Sequence, residues 1–112
     1  MHNSVLSNYL RTRRREWGLT QVELAQVLGC RSREHVSRIE NGKGMPSIEL
    51  AIACEIVFEH RLYELFPRLY KKIEKQVEGK LRKLHAEAHP KNCARSIRKK
   101  AIINRAIMRI KK

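Results

Sequence analysis

The chain has 112 residues, one domain's worth of protein, and a net charge of +14 that points to a polyanionic partner: nucleic acid or an anionic membrane surface. Its three cysteines, Cys30, Cys54 and Cys93, are far apart and form no C-x-x-C pair, which argues against a disulfide framework. No apolar run approaches the roughly 20 residues of a membrane span, and Met1 to Leu6 lacks a signal layout, so a soluble cytoplasmic protein is expected.

In chain order, Leu6, Leu10, Arg13 and Trp17 recur at helical spacing, predicting a helix from about Ser4 to Trp17, with Gly18 as its cap. Thr20 followed three residues later by Glu23 is a capping box that opens a second helix. Leu24, Ala25 and Leu28 line its inner face, and Gly29 ends it. Ser32 is an N-cap candidate for a third helix running to about Asn41, with Val36 and Ile39 turned inward. A loop from Asn41 to Pro46 follows. Ser47 caps a fourth helix with the stripe Leu50, Ala51, Cys54, Val57 and Phe58, and a short fifth runs from Leu62 to Phe66.

Beyond Pro67 the character changes. Residues 1–67 hold nine Lys/Arg against eight Glu, whereas residues 68–112 hold sixteen against three. Leu69, Ile73, Val77, Leu81 and Leu84 mark one long basic amphipathic helix to about Ala88. His89-Pro90-Lys91-Asn92 breaks it. A last basic helix from about Ser96 to Ile110 carries Ile103, Ala106, Ile107 and Ile110. The expected architecture is all-α: a five-helix domain over 1–67, a long helix over 68–88 and a basic helical tail over 89–112.

Helix, tight Gly turn and capped helix from Thr20 to Asn41 form the layout of a helix-turn-helix. Its first helix crosses the phosphate backbone, and its second lies in the major groove of double-stranded DNA. Ala25 and Gly29 let the two helices approach. The segments Leu19-Thr20-Gln21-Val22-Glu23-Leu24-Ala25, Leu28-Gly29 and Val36-Ser37-Arg38-Ile39-Glu40-Asn41-Gly42-Lys43 resemble the xenobiotic-response-element-type helix-turn-helix family of phage Cro and repressor proteins. Pro46-Ser47-Ile48-Glu49 and Leu62 to Pro67 continue the likeness, which covers about residues 6–67.

The resemblance implies a repressor-like fold and specific roles. Gln21 would bind a phosphate and brace the recognition helix. Arg33, Glu34 and Arg38, with Ser37 beside them, match base-reading positions; arginine there suits guanine, and Glu34 can accept from cytosine. Lys43 would meet the backbone or a minor-groove edge. Arg14 and Glu40 match a pair tying the first helix to the third. The turn is one residue longer than the commonest form, Arg31 being the extra residue, which leaves the register of Arg31 and Arg33 open by one position. His60, after Glu59, stands where many relatives have a Gly-containing turn.

No catalytic constellation is visible, so neither an enzyme nor a cofactor is expected. His85, His89 and Cys93 fall at spacings of four, yet Pro90 intervenes and a fourth ligand is missing, so no metal site is assigned. The stripe over 69–84 can pack back on the first domain or pair two copies as a coiled coil. The expected function is a sequence-specific regulator, a repressor, binding a palindromic operator as a homodimer in a bacterial or phage setting, associated with the nucleoid. Two alternatives stand beside it: an antitoxin-type regulator whose residues 68–112 hold a protein partner, and a non-specific nucleic-acid-binding accessory protein that works through its tail.

Overall fold

The structure, a computed structural model, describes residues 6–87 and 94–111. Among them are seven helices and no strand: α1 Leu10–Glu16, α2 Gln21–Leu28, α3 Arg33–Glu40, α4 Ile48–Phe58, α5 Leu62–Leu65, α6 Pro67–Glu87 and α7 Ala94–Lys111. The chain divides into two compact units, residues 1–71 and 72–112. No helix of the described residues is long and apolar enough to cross a membrane.

The first unit closes around Leu10, Leu24, Leu28, Val36, Ile39, Leu50, Cys54, Phe58, Leu65 and Phe66. Each fully buried aliphatic side chain contributes about 1.5–3 kcal/mol relative to exposure. That is how helices of seven and eight residues, too short to persist alone, hold their shape. The caps expected from sequence set most boundaries. The Glu23 N–H donates to Thr20 Oγ1 (3.1 Å), while Glu23 Oε1 accepts from the Thr20 N–H (2.9 Å). Gly29 closes α2 in the left-handed region at φ 74°, and the Leu50 N–H donates to Ser47 Oγ (3.1 Å) at the head of α4. Ser32 stands at the N-cap of α3, but its side chain makes no capping bond. Pro67 marks the boundary between α5 and α6 as the first residue of α6, where its missing N–H costs nothing.

Two expectations about the first helix need correction. The first helix starts at Leu10, not near Ser4 (Ser4 and Val5 lie outside the described residues). Asn8 is the reason: its Oδ1 accepts from the Leu10 N–H (3.0 Å), and its Nδ2 donates to the carbonyls of Leu6 and Ile39 (both 2.8 Å). That local turn competes with helix and pins the incoming chain to α3. The buried line of α1 is Leu10 and Arg14 rather than Leu10 and Arg13, and Trp17 is 55% exposed, resting edge-on against Phe58 at 5.4 Å. On α6 the stripe Leu69, Ile73, Val77, Leu81 and Leu84 is at best half-buried, with Ile73, Val77 and Leu84 exposed.

In the second unit, Ile103 and Ile107 of α7 are buried. Arg82 and His85 of α6 border a cavity of about 300 Å³ together with Asn104, Ile107, Met108 and Lys111 of α7. Arg82 pairs with Glu78 one turn away at 2.9 Å. The break expected at His89-Pro90-Lys91-Asn92, and the residues His89 and Cys93, lie outside the described residues.

Candidate nucleic-acid interface

The site is organised around a buried carboxylate. Glu40, at the end of α3, has a fully buried side chain. Arg14 Nε donates to its Oε2 (2.5 Å) and Arg14 Nη2 to its Oε1 (3.2 Å), a two-pronged contact from α1 to α3. Arg14 Nη1 also donates to the Leu19 carbonyl (2.9 Å), fixing the chain that leads into α2. Gln21 Nε2, at the start of α2, donates to Glu40 Oε1 (3.1 Å), and Arg11 Nε approaches the same oxygen at 3.4 Å. One carboxylate thus ties together three helices. Burial by itself pushes the Glu40 pKa up, but the bonds from Arg14, Gln21 and Arg11 and the Arg14 charge outweigh it and hold the carboxyl below the usual range. The resemblance implied an Arg14–Glu40 pair, and the structure brings the two residues together. It adds Arg11 and Gln21 to that junction.

On the outer side of α3, the 100° step per residue places Glu34, Ser37 and Arg38 in one row, opposite the buried Val36, Ile39 and Glu40. Glu34 and Arg38 are exposed and Ser37 is half-buried. Asn41, a residue the sequence reading did not single out, continues this row. Its Nδ2 donates to Ser37 Oγ (3.3 Å), and Arg11 Nη2 donates to its Oδ1. Lys43 is exposed in the loop beyond, and its backbone N–H donates to the Arg38 carbonyl (2.9 Å).

Arg33 sits at the edge of that row. It lines an open cleft of about 570 Å³ with Arg11, Arg14 and Arg15 of α1 and with Thr20 and Gln21 at the head of α2. Arg33 is therefore placed on the side of the α2 N-terminus, and Arg38 is the arginine at the centre of the outer row. Arg31 is exposed in the four-residue turn Gly29-Cys30-Arg31-Ser32 between the two helices. Arg11 and Arg15 were also not foreseen; the cationic run Arg13-Arg14-Arg15 just after Arg11 was the available signal.

The two cysteines among the described residues lie in the core, Cys54, or against it, Cys30. Burial, with a smaller contribution from Cys30, pushes the Cys54 thiol up to about 12, and burial also raises Cys30. Neither thiol is a ready nucleophile at neutral pH. The backbone turn at the end of α4 falls on Glu59, at φ 54°, the residue before His60, in a left-handed conformation that a side chain rarely adopts. His60 Nδ1 lies 3.6 Å from Glu64 Oε2.

Comparison with known proteins agrees with this geometry. A family model described as helix-turn-helix matches residues 10–65. The chain is 44% identical over 61 residues to an uncharacterized HTH-type transcriptional regulator of Archaeoglobus fulgidus, a match covering 51% of this chain and 86% of that protein. It is 42% identical over 66 residues to a Pyrococcus furiosus protein named as an HTH-type transcriptional regulatory protein, covering 59% of this chain but only 21% of the longer relative. No solved structure matches the chain significantly. The family model spans α1 to α5, the helices that hold the Glu40 junction and the outer row of α3; the chain belongs to the helix-turn-helix family.

Proposed function

We propose that this protein is a DNA-binding transcription regulator that inserts α3 into the major groove and represses from a palindromic site as a dimer. The observation that supports it is the row Glu34, Ser37 and Arg38 on the outer face of a helix anchored by a buried carboxylate. A base reader has to be rigidly placed, because sequence is discriminated by bonds to base edges. Arg38 offers a two-pronged donor to guanine, Glu34 an acceptor for the cytosine amino group and Ser37 a hydroxyl.

Beside that row, the cleft of Arg11, Arg15, Thr20, Gln21 and Arg33 suits a backbone phosphate, because guanidinium donors and the first residues of α2 border the same space. In this reading Arg33 and Gln21 position the helix, while Arg31 and Lys43 reach the flanking strand. One recognition helix reads few base pairs, so two copies on half-sites about 34 Å apart, or a multiple of that, complete the site. The cations of residues 68–112 add affinity without sequence preference, each neutralised phosphate steepening the salt dependence by roughly 0.9. The protein then works on nucleoid DNA in the cytoplasm.

Selection of binding sites from random duplexes with the full-length protein, at about 150 mM salt, tests this reading. A two-fold-related consensus is the expected result. Tight binding that enriches no sequence and collapses with added salt would replace it with the accessory-protein reading.

A further inference from the structure

Helix α4 has two faces. The inner one carries Leu50, Ala51, Cys54 and Phe58 into the core. The outer one displays Ile48, Ile52 and Ile56, which are 78%, 53% and 73% exposed, with Met45 (62%) just ahead of them. Three β-branched apolar side chains in one line on a helix surface mark a contact site rather than scattered surface residues. The charge around them is the reverse of the rest of the molecule: residues 45–60 contain Glu49, Glu55 and Glu59 and no Lys or Arg, in a chain of net charge +14.

Helix α7 is the complement. Its residues 94–111 contain seven Lys/Arg and no acidic residue. Off the buried line of Ile103 and Ile107, the exposed Ile97 and Met108 lie near Arg98, Arg105 and Arg109, and Met108 also borders the cavity on the α6 side. Met108 and Ile102 border a shallow cavity of about 350 Å³ with Arg105 and Arg109.

We propose that the outer face of α4 is the seat for α7 of a second copy of this chain, so that two reciprocal α4–α7 contacts form the dimer invoked above; the proposal rests on that dimeric reading and names its interface. Charge decides between the candidate pairings. Two α4 faces are both acidic and two α7 faces both basic, so each self-pairing repels. The exposed stripe of α6 lies in a helix with seven Lys/Arg and three Glu, so two copies of it repel as well. Helix α4 against α7 joins opposite charges around apolar centres. Lys99 and Lys111 lie off the docking side and stay available for phosphates.

Sedimentation equilibrium of the full-length protein, without DNA, tests the interface using Ile52→Lys, Met108→Glu and Val77→Glu. All three positions are exposed, so the core is untouched, and far-UV circular dichroism confirms that the helices persist. The wild type is expected to be a dimer. Ile52→Lys and Met108→Glu are each expected to weaken self-association by about tenfold or more, because each places an unmatched charge in both contacts. Mixing these two variants should restore a heterodimer: one contact is then native, and the other sets the new lysine against the new glutamate. A monomeric wild type, dimers indifferent to both substitutions, or dissociation caused by Val77→Glu alone would overturn the assignment. The DNA selection described above reads sequence preference separately: loss of the dimer interface with a retained half-site preference leaves the recognition helix standing, and the reverse outcome leaves the interface standing.

Discussion

Glu40 is the position at which a small change should cost most. Its carboxylate is fully buried and accepts bonds from Arg14, Gln21 and Arg11. The Arg14 side chain is itself only 10% exposed, so neither partner can regain full hydration when the other is lost. Hydrogen bonds to charged groups are each worth about 1.5–3 kcal/mol, and breaking a buried pair by deleting one partner costs about 3–5 kcal/mol. Glu40→Gln keeps the shape and removes the charge, so about 2–3 kcal/mol is expected. Arg14→Ala also loses the bond to Leu19 and leaves a buried carboxylate with weaker partners, for about 3–4 kcal/mol. The double variant should lose less than the sum, with a coupling of about 1–3 kcal/mol.

Urea unfolding at pH 7 measures all four proteins. Trp17, the single tryptophan, rests on Phe58 and reports the loss of packing by fluorescence. The same series has a pH signature. The folded-state pKa of Glu40 is lowered, so its contribution is complete above the ordinary carboxylate value and is lost as pH falls through the folded-state value. The gap between wild type and Glu40→Gln should therefore be widest near neutrality and narrow below about pH 4. Additive single effects, each under about 0.5 kcal/mol, would mean that the junction is a surface-like ion pair and the reasoning about burial is wrong.

Other outcomes follow from local geometry. Thr20→Ala removes one arm of the capping box of α2 and should cost about 1 kcal/mol in the same unfolding assay. Glu59→Gly should raise stability by about 0.5–1 kcal/mol, since it relieves a left-handed side-chain-bearing residue and loses part of that gain to unfolded-state entropy. Gly42→Ala should lower the thermal midpoint measurably: φ is +71° there, and an added Cβ would lie 3.3 Å from the Leu6 backbone carbon, for a cost of about 1–3 kcal/mol.

Much of this arrangement was legible because its signals are local. Thr20 with Glu23, Gly29, and Ser47 ahead of an apolar stripe each specify a boundary through bonds that span three or four residues. The misplaced start of α1 has the opposite cause. Leu6 to Trp17 shows helical periodicity, but Asn8 makes its decisive bond to Ile39, thirty-one residues away, and no window of sequence contains that partner. Periodicity alone put Arg13 in the helical line; only the family resemblance picked out Arg14, because its partner Glu40 lies twenty-six residues away. Arg33 and Arg38 are both arginines on the recognition helix; their separation into cleft and outer row depends on how α1 and α2 pack against α3. The stripe of α6 was readable as apolar, yet periodicity says only that a face is apolar, not that the chain buries it.

If α3 reads bases, Arg38 lies in the groove. Binding-site selection run side by side on the wild type and Arg38→Ala tests it most directly. Arg38 is exposed and takes part in no buried junction, so the fold should be unaffected. Arg38→Ala should lose preference at one base pair of each half-site and bind the wild-type consensus about 1–3 kcal/mol more weakly, with an otherwise unchanged motif. An identical motif recovered with identical affinity would place Arg38 outside the groove.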